Sequence, residues 1–536
     1  MMLQLRKITI RNYRSIEEVV IEILPHQKSN LFCLVGQNNS GKSNILDAIK
    51  ILFDPRPPYL EKEDFFNQDP GRTISFEAMF WEPVRYKPFQ SWDYEIQICG
   101  MRRERKVGKR GETKGQLIWV HSSLDLSGKT LQKPREIPKK GSQLKFDMMF
   151  EIPKEIWDRL HVIYIPVNRD LGQHLPNQRR GFLHRTLERI DESFNKLPVA
   201  QEFEKHLASA MDLLRIPEFK SLEGFLKMVL DLFFEKELDV TMGNPSSLDC
   251  FRVMAMSFLE NDITISLDRT GEGARFVLFL GIVFAYYRLV RQECIFIIEE
   301  PELHLHPQRQ RVLREFILND LANINYVFLS THSPEFLDLS DYKTIYRVGK
   351  DASTSLSRIE GDFEEALTKH IRRCLDQSMK YAFFASAVIL VEGESDHKVF
   401  PIYADRLGKP LDSRNITVVY AGGKKSLQTL AKMLRSLRIP VVLCYDKDSN
   451  KDEGANITLQ NLFPGDSQYA WIELDPNLEG DICSSMNIPL DDWETFRGKG
   501  KIEKIVNIAA DETTPIPAKC KQAIETAYRF VECKGK

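Results

Sequence analysis

The stretch Gly36-Gln37-Asn38-Asn39-Ser40-Gly41-Lys42-Ser43-Asn44 decides the reading of this chain. It fits the phosphate-loop pattern GxxxxGK[ST], and its flanks are those the pattern needs. A continuous apolar run, Leu31 to Val35, precedes it, and helical spacing of Ile45, Leu46, Ala48, Ile49, Ile51 and Leu52 follows. Glycines let backbone N–H groups approach phosphate oxygens, and the helix N-terminus presents its positive dipole end. Gly36, Asn38, Asn39, Ser40, Gly41 and Asn44 are therefore expected around the phosphates of ATP. Lys42 is expected at the β- and γ-phosphates, and Ser43 on Mg²⁺.

Outward from the loop, Cys294-Ile-Phe-Ile-Ile298-Glu299-Glu300-Pro301 is a second buried-strand run, and it ends in two acids. Carboxylates at the C-terminal edge of a parallel sheet stand where nucleotides bind. Glu299 is expected in the Mg²⁺ shell and Glu300 as the group that polarises the attacking water. A third run ends in Ser330-Thr331-His332-Ser333, where the histidine can contact the γ-phosphate. His304 and His306 have the spacing of a metal pair, but no third ligand follows at a spacing typical of zinc. The opening residues alternate apolar and polar (Leu3, Leu5, Ile8, Ile10, then Val19, Ile21, Ile23), which predicts paired antiparallel strands.

A second series of apolar runs begins near Tyr381: Ala387 to Val391, Ile416 to Tyr420 and Val441 to Tyr445, with the helical stretch Ser426 to Leu437 between the last two. That alternation predicts a parallel α/β sheet. Val391-Glu392-Gly393-Glu394-Ser395-Asp396 follows one run, and Tyr445-Asp446-Lys447-Asp448 follows another. Acids gathered at one sheet edge repel each other, and hard divalent cations such as Mg²⁺ or Mn²⁺ relieve that repulsion. Such a centre suits phosphodiester cleavage.

Together with Asn12-Tyr13-Arg14-Ser15 and the run Glu299 to Pro307, these motifs resemble the OLD (overcoming lysogenization defect) family, ABC-type ATPases fused to a C-terminal Toprim domain. The resemblance implies an α/β fold: an ABC/SMC-RecF-like ATPase domain over 1–175 and 256–365, a helical insertion over 176–255, and a Rossmann-like Toprim domain with C-terminal helices over 382–536. It implies a signature loop acting in trans, best matched by Gly271, Gly273 and Arg275, and hence a homodimer or higher homo-oligomer. The family glutamate falls on Glu392 and the Asp-x-Asp pair on Asp446 and Asp448. A second metal site falls on Asp396, Glu479 and Asp481, with Lys501 or Lys499 as the late basic residue. The activity implied is ATP-regulated, metal-dependent DNA cleavage in antiphage defence. Some members work beside a UvrD-like helicase, others beside a retron reverse transcriptase with its msDNA. The alternative is a RecF/SMC-like DNA-repair ATPase whose Toprim half only binds.

Composition sets the limits. At about 100–200 residues per domain, 536 residues predict three or four units. Lys plus Arg (74) nearly cancel Asp plus Glu (76), so a polyanionic partner must meet a local patch. Between Gly100 and Lys145 there are 13 Lys/Arg against 4 Asp/Glu, and Arg497, Lys499, Lys501 and Lys504 lie near the late acids; both groups are candidates for DNA phosphates. Nine dispersed cysteines show no CxxC spacing, which points to a reducing cytoplasm rather than a disulfide framework. The longest apolar run, Val277 to Tyr287, falls short of the ~20 residues a membrane span needs, and the basic N-terminal stretch does not read as a signal peptide.

Overall fold

In the computed structural model of the chain, the apolar runs that read as buried strands lie inside two largely parallel sheets. The structure describes residues 3–24, 29–87, 96–107, 117–134, 146–149, 151–157, 159–167, 182–213, 257–260, 263–266, 294–337, 339–361, 363, 377–447, 453–488 and 500–532, with scattered positions between 247 and 287. Two compact units divide the chain. One is Met1–Ile165 with Glu293–Glu302 and His306–Lys536; the other is Pro166–Gln292 with Leu303–Leu305. The phosphate loop and the C-terminal carboxylates therefore belong to one unit.

The first unit opens with the hairpin β1 (Leu5–Tyr13) and β2 (Ile16–Glu22), paired Ile8 to Ile21 and Ile10 to Val19 so that the apolar positions share the inner face. β3 (Leu31–Val35) is buried along its whole length and runs through the loop into α1 (Lys42–Phe53). β4 (Ile74–Tyr86), β5 (Ile96–Val107) and β6 (Leu117–Leu124) extend the hairpin into a sheet of order β2-β1-β4-β5-β6. The ribbon of β7 (Gln132–Pro134) and β8 (Phe146–Met149) and the one-turn helix α2 (Lys154–Trp157) lead to β9 (His161–Ile165).

The second unit contains α3 (Phe182–Phe194), α4 (Val199–Leu213) and the hairpin β10 (Ser257–Glu260) with β11 (Ile263–Ser266). Both helices fall within the stretch read as helical, and most of its remainder lies outside the described residues.

Back in the first unit come β12 (Cys294–Glu299), α5 (Pro307–Phe316), β13 (Tyr326–Ser330), β14 (Ile345–Lys350) and β15 (Thr354–Arg358). They complete a six-stranded sheet, β15-β14-β3-β13-β12-β9, parallel except for β15. Strands covered on both faces read as unbroken apolar runs, which is why β3, β12 and β13 were legible.

The C-terminal series begins at α6 (Gln377–Ala382) and alternates β16 (Ala387–Val391), α7 (Glu394–Arg406), β17 (Ile416–Tyr420), α8 (Lys424–Ser436), β18 (Val441–Asp446), α9 (Glu453–Gln460) and β19 (Tyr469–Leu474). The sheet is fully parallel, in the order β17-β16-β18-β19. α10 (Leu478–Ser485), α11 (Lys501–Ala510) and α12 (Ala518–Glu532) follow. α12 buries Cys520, Ala523, Ile524 and Ala527, one helical face, in the same core as β16 and β18.

Within the basic stretch of the N-terminal half, Arg102, Arg103 and Arg105 need correcting as DNA-contact candidates. Arg103 is fully buried, with its guanidinium 4.3 Å from the Trp157 ring and donating to the Ile51 carbonyl at the end of α1. Arg105 is buried against Trp119 and Tyr59, and Arg102 is bound to Glu77 and the Gly128 carbonyl. Strand alternation turns Arg103 and Arg105 onto the inner face, where rings and a helix C-terminus take their charge. The other basic residues of that stretch include Lys109, Arg110, Lys114, Arg135, Lys139, Lys140 and Lys145, which lie outside the described residues. Among the described residues, no helix is long and apolar enough to cross a membrane.

Candidate functional site

Two sites form at the C-terminal edges of the two parallel sheets. At the first, Gly36 has φ +149, and a Cβ there would sit 2.3 Å from the Val348 carbonyl oxygen, so the loop can begin only with glycine. Gly41, at φ +103, opens α1. Lys42 is buried, and its ammonium donates to the carbonyls of Gly36 (3.0 Å) and Gln37 (2.9 Å). Burial lowers its pKa to about 8, and the nearby Glu300 and Glu302 work in the opposite direction. Asn38, Asn39 and Ser43 are exposed and Ser40 is buried. Asn44 holds the turn at 12–15: its amide donates to Ser15 Oγ (2.8 Å), and its carbonyl oxygen accepts from Arg14 (3.4 Å). Arg14 is itself bound by Asp47 and Asp64.

Glu299 closes β12, is buried and interacts with Tyr164. Glu300 turns out of the strand at φ +41, which sets its carboxylate 3.7 Å from His332 Nε2. His332 is held below its ordinary pKa by burial and then by the Lys42 charge, so it is neutral near pH 7. The expected pair Glu300 and His332 thus meets beside Lys42. Sequence reading missed Glu302. Its carboxylate accepts from the His332 backbone N–H (2.6 Å) and the Thr331 hydroxyl (2.9 Å), and burial raises its pKa. The only signal was its place two residues after Glu300. His306 Nδ1 caps α5, accepting from the Gln308 N–H. A Cβ at Gly273 would meet the His304 carbonyl oxygen at 2.7 Å, while Gly271 and Arg275 lie outside the described residues.

At the second site, Glu392 follows β16 and Asp446 ends β18, the neighbouring strand; Glu392 Oε2 accepts the Asp446 backbone N–H at 3.2 Å. Asp396, in the first turn of α7, is buried, and its Oδ1 has no hydrogen-bond partner. Gly393 leaves room for it, since a Cβ there would lie 2.9 Å from Asp396 Oδ2. Burial, followed by Glu479 and Glu392, pushes the Asp396 pKa from 3.8 up to about 7. Glu479, buried in the first turn of α10, pairs with Lys501, the first residue of α11. Asp481 accepts the Asp475 N–H (3.3 Å) and pairs with Lys519 (3.4 Å), a second lysine the sequence did not single out. Lys504 is exposed; Asp448, Arg497 and Lys499 lie outside the described residues.

Glu392, Asp396, Asp446 and Glu479 thus converge. Among the described residues, however, no group of three or more His, Cys, Asp or Glu side chains is arranged to hold a metal ion as it stands. The chemistry of the set still fits a hard cation: a buried carboxylate with an oxygen lacking a partner, its pKa raised to about 7 by burial and then by Glu479 and Glu392, gains most from a positive charge. A consequence can be measured without metal. The folded chain binds the Asp396 proton more tightly than an unfolded chain does, so folding weakens as pH rises from about 4 to about 7. Asp396→Asn should melt at a higher temperature than the parent at pH 8 in EDTA and lose less between pH 5 and 7. Scanning calorimetry showing identical pH profiles would remove Asp396 as the holder of that proton.

Comparison with known proteins agrees with an ATPase domain followed by a Toprim domain. The family described as "AAA domain, putative AbiEii toxin, Type IV TA system" matches residues 31–338, more than half of the chain. "Overcoming lysogenization defect protein-like, TOPRIM domain" matches residues 383–448. The OLD nuclease of Thermus scotoductus is 26% identical over 466 residues, 83% of this chain and 82% of the relative. Endonuclease GajA of Bacillus cereus is 23% identical over 474 residues, covering 83% and 75%. The Old nuclease of Escherichia phage P2 is 22% identical over 486 residues, covering 84% and 78%. With a phosphate-loop head that matches the AAA family and an OLD-type Toprim domain behind it, the chain belongs to the OLD family of ABC-type ATPases fused to a C-terminal Toprim domain.

Proposed function

We propose that this chain is an ATP-binding and ATP-hydrolysing, divalent-metal-dependent DNA endonuclease that acts in antiphage defence. The observation that carries the reading is the meeting of Glu392, Asp396, Asp446 and Glu479 at one sheet edge, in the same compact unit as a complete phosphate loop. Relatives named as nucleases align over more than four-fifths of the chain. A repair ATPase with a merely binding Toprim half leaves this carboxylate cluster without a purpose.

Glu392, Asp396 and Asp446 are the side chains that would hold Mg²⁺ or Mn²⁺, and the family resemblance adds Asp448, Glu479 and Asp481 to that set. A cation bound there supplies charge neutralisation at the scissile phosphate and acidity for the attacking water. Lys501 and Lys519, held by Glu479 and Asp481, stand where a phosphodiester can exchange for a carboxylate partner. The ATPase head is proposed to join a second copy of the chain through its nucleotide face, and a UvrD-like helicase or a retron reverse transcriptase with its msDNA is the kind of partner this family supports.

The test is incubation of supercoiled plasmid with Mg²⁺ or Mn²⁺, with and without ATP. Nicked and linear products are expected with metal and not in EDTA; absence of cleavage under every condition would reject the nuclease reading. If DNA is held through backbone phosphates, its binding constant should fall steeply with salt, with a log–log slope of about −0.9 per phosphate contacted. A flat salt response would reject that mode of binding.

A further inference from the structure

The strand β14 runs parallel to β3 with Arg347 opposite Val35, the residue before the phosphate loop. Contact continues into the loop, because the Val348 carbonyl occupies the space a Gly36 side chain would need. On its other side Arg347 reaches the Toprim domain. Its guanidinium is buried and donates to the carbonyls of Ala385 (2.8 Å), Leu437 (3.2 Å) and Arg438 (3.5 Å). Ala385 leads into β16 and Leu437–Arg438 lead into β18, the adjacent strands whose far ends carry Glu392 and Asp446. The Val388 N–H, donating to the Pro440 carbonyl at 2.9 Å, ties the two starts together. The loop makes a link of its own: the Gln37 side-chain amide donates to Ser386 Oγ, one residue before β16.

We propose that Arg347 is a positioning residue that couples the state of the phosphate loop, through Gln37–Ser386 and the paired starts of β16 and β18, to the placement of Glu392 and Asp446. This rests on the nucleotide and nuclease roles proposed above. The physical route is short. Five strand residues at about 3.3 Å each separate the gripped end of β16 from its carboxylate end, roughly 17 Å of extended backbone hydrogen-bonded on both sides. Coupling between sites is carried by hydrogen-bond networks and rigid secondary elements, and both strands are such elements. A cavity of about 990 Å³ lined by Gly36, Gln37, Asn38, His332, Ser386 and His397 lies between the loop and the strand start. It gives the loop room to change its hold on Ser386 when its N–H groups turn to phosphate oxygens. Arg347 holds both strand starts in register with β14, so the pair moves together.

The test uses the full chain with adenylyl imidodiphosphate and Mg²⁺, reading amide hydrogen exchange at 386–391 and 441–446. In the parent, nucleotide should change exchange in both segments by about threefold or more. Ser386→Ala and Arg347→Lys should abolish that change, and Ser386→Thr, which keeps the hydroxyl, should retain it. ATP hydrolysis should stay within about twofold in all three, since none removes a phosphate-loop residue. A nucleotide response in the Ser386→Ala and Arg347→Lys proteins equal to the parent's overturns the proposal, as does a parent whose two segments ignore bound nucleotide. Plasmid cutting, read in parallel, separates the two ideas. Exchange that follows the pattern while no protein cuts DNA supports the coupling and rejects the nuclease reading. Cutting with exchange that ignores nucleotide does the reverse.

Discussion

Glu392→Gln is expected to abolish phosphodiester cleavage, with a loss of at least about 10³-fold, while the protein keeps its fold and its ATP hydrolysis. Glutamine retains the shape of glutamate and an oxygen that can accept the Asp446 N–H now held at 3.2 Å, so the junction of β16 and β18 survives. What disappears is one negative charge at the centre of the acidic cluster. Repulsion within the metal-free cluster drops, so the variant should be no less stable than the parent. A hard cation, however, loses an anionic oxygen ligand, and charge stabilisation worth several kcal/mol corresponds to about three decades in rate. The measurement is plasmid nicking in Mg²⁺ and Mn²⁺, with circular dichroism melting and phosphate release as controls. Parent-like cleavage by Glu392→Gln would place the hydrolytic centre elsewhere in the chain.

The effect is open to prediction because the two sheets were legible where burial leaves no choice. Leu31–Val35, Cys294–Ile298, Ala387–Val391 and Val441–Tyr445 are apolar throughout, and a run covered on both faces has no other place to go. Acids directly after such runs must emerge at the sheet edge, so Glu392, Asp446, Glu299 and Glu300 could be placed from spacing alone.

Legibility failed for charged residues whose fate depends on partners far away in the chain. Arg103 reads as surface charge and is buried over Trp157, fifty-four residues later. Glu302 binds the Thr331–His332 turn, Lys519 meets Asp481 only because α12 packs on the Toprim sheet, and Arg347 meets carbonyls ninety residues on. Local pattern reports which face is apolar; it does not report which charge finds compensation inside. The edge strand β19 escaped for a related reason. Its Trp471 is exposed and its burial incomplete, so Tyr469–Leu474 lacks the unbroken apolar signature of its neighbours.

Lys42→Ala is the second large effect: ATP hydrolysis should fall by about 10²-fold or more, and any influence of ATP on DNA cutting should vanish, while cutting without nucleotide persists. Lys42 is the cation that faces Glu300 and Glu302 across the loop. Held at about pKa 8 by burial, it is still mostly protonated at pH 7. Its ammonium, now donating to the Gly36 and Gln37 carbonyls, is of the right kind for phosphate oxygens. Alanine removes that charge and leaves two carboxylates facing the place where γ-phosphate charge must be stabilised, which raises the barrier by the loss of one preorganised electrostatic contact, about 3 kcal/mol. The same pKa gives a second readout. In the parent, kcat/KM for ATP should decline as pH rises through about 8, because the free protein's deprotonated amine must regain a proton before it can offset the phosphates. Parent-like phosphate release by Lys42→Ala at pH 7 would mean that this loop is not where nucleotide is hydrolysed. Lost cutting in the absence of ATP, with the fold intact, would mean that the phosphate loop and the carboxylate edge act as one catalytic centre rather than two coupled ones.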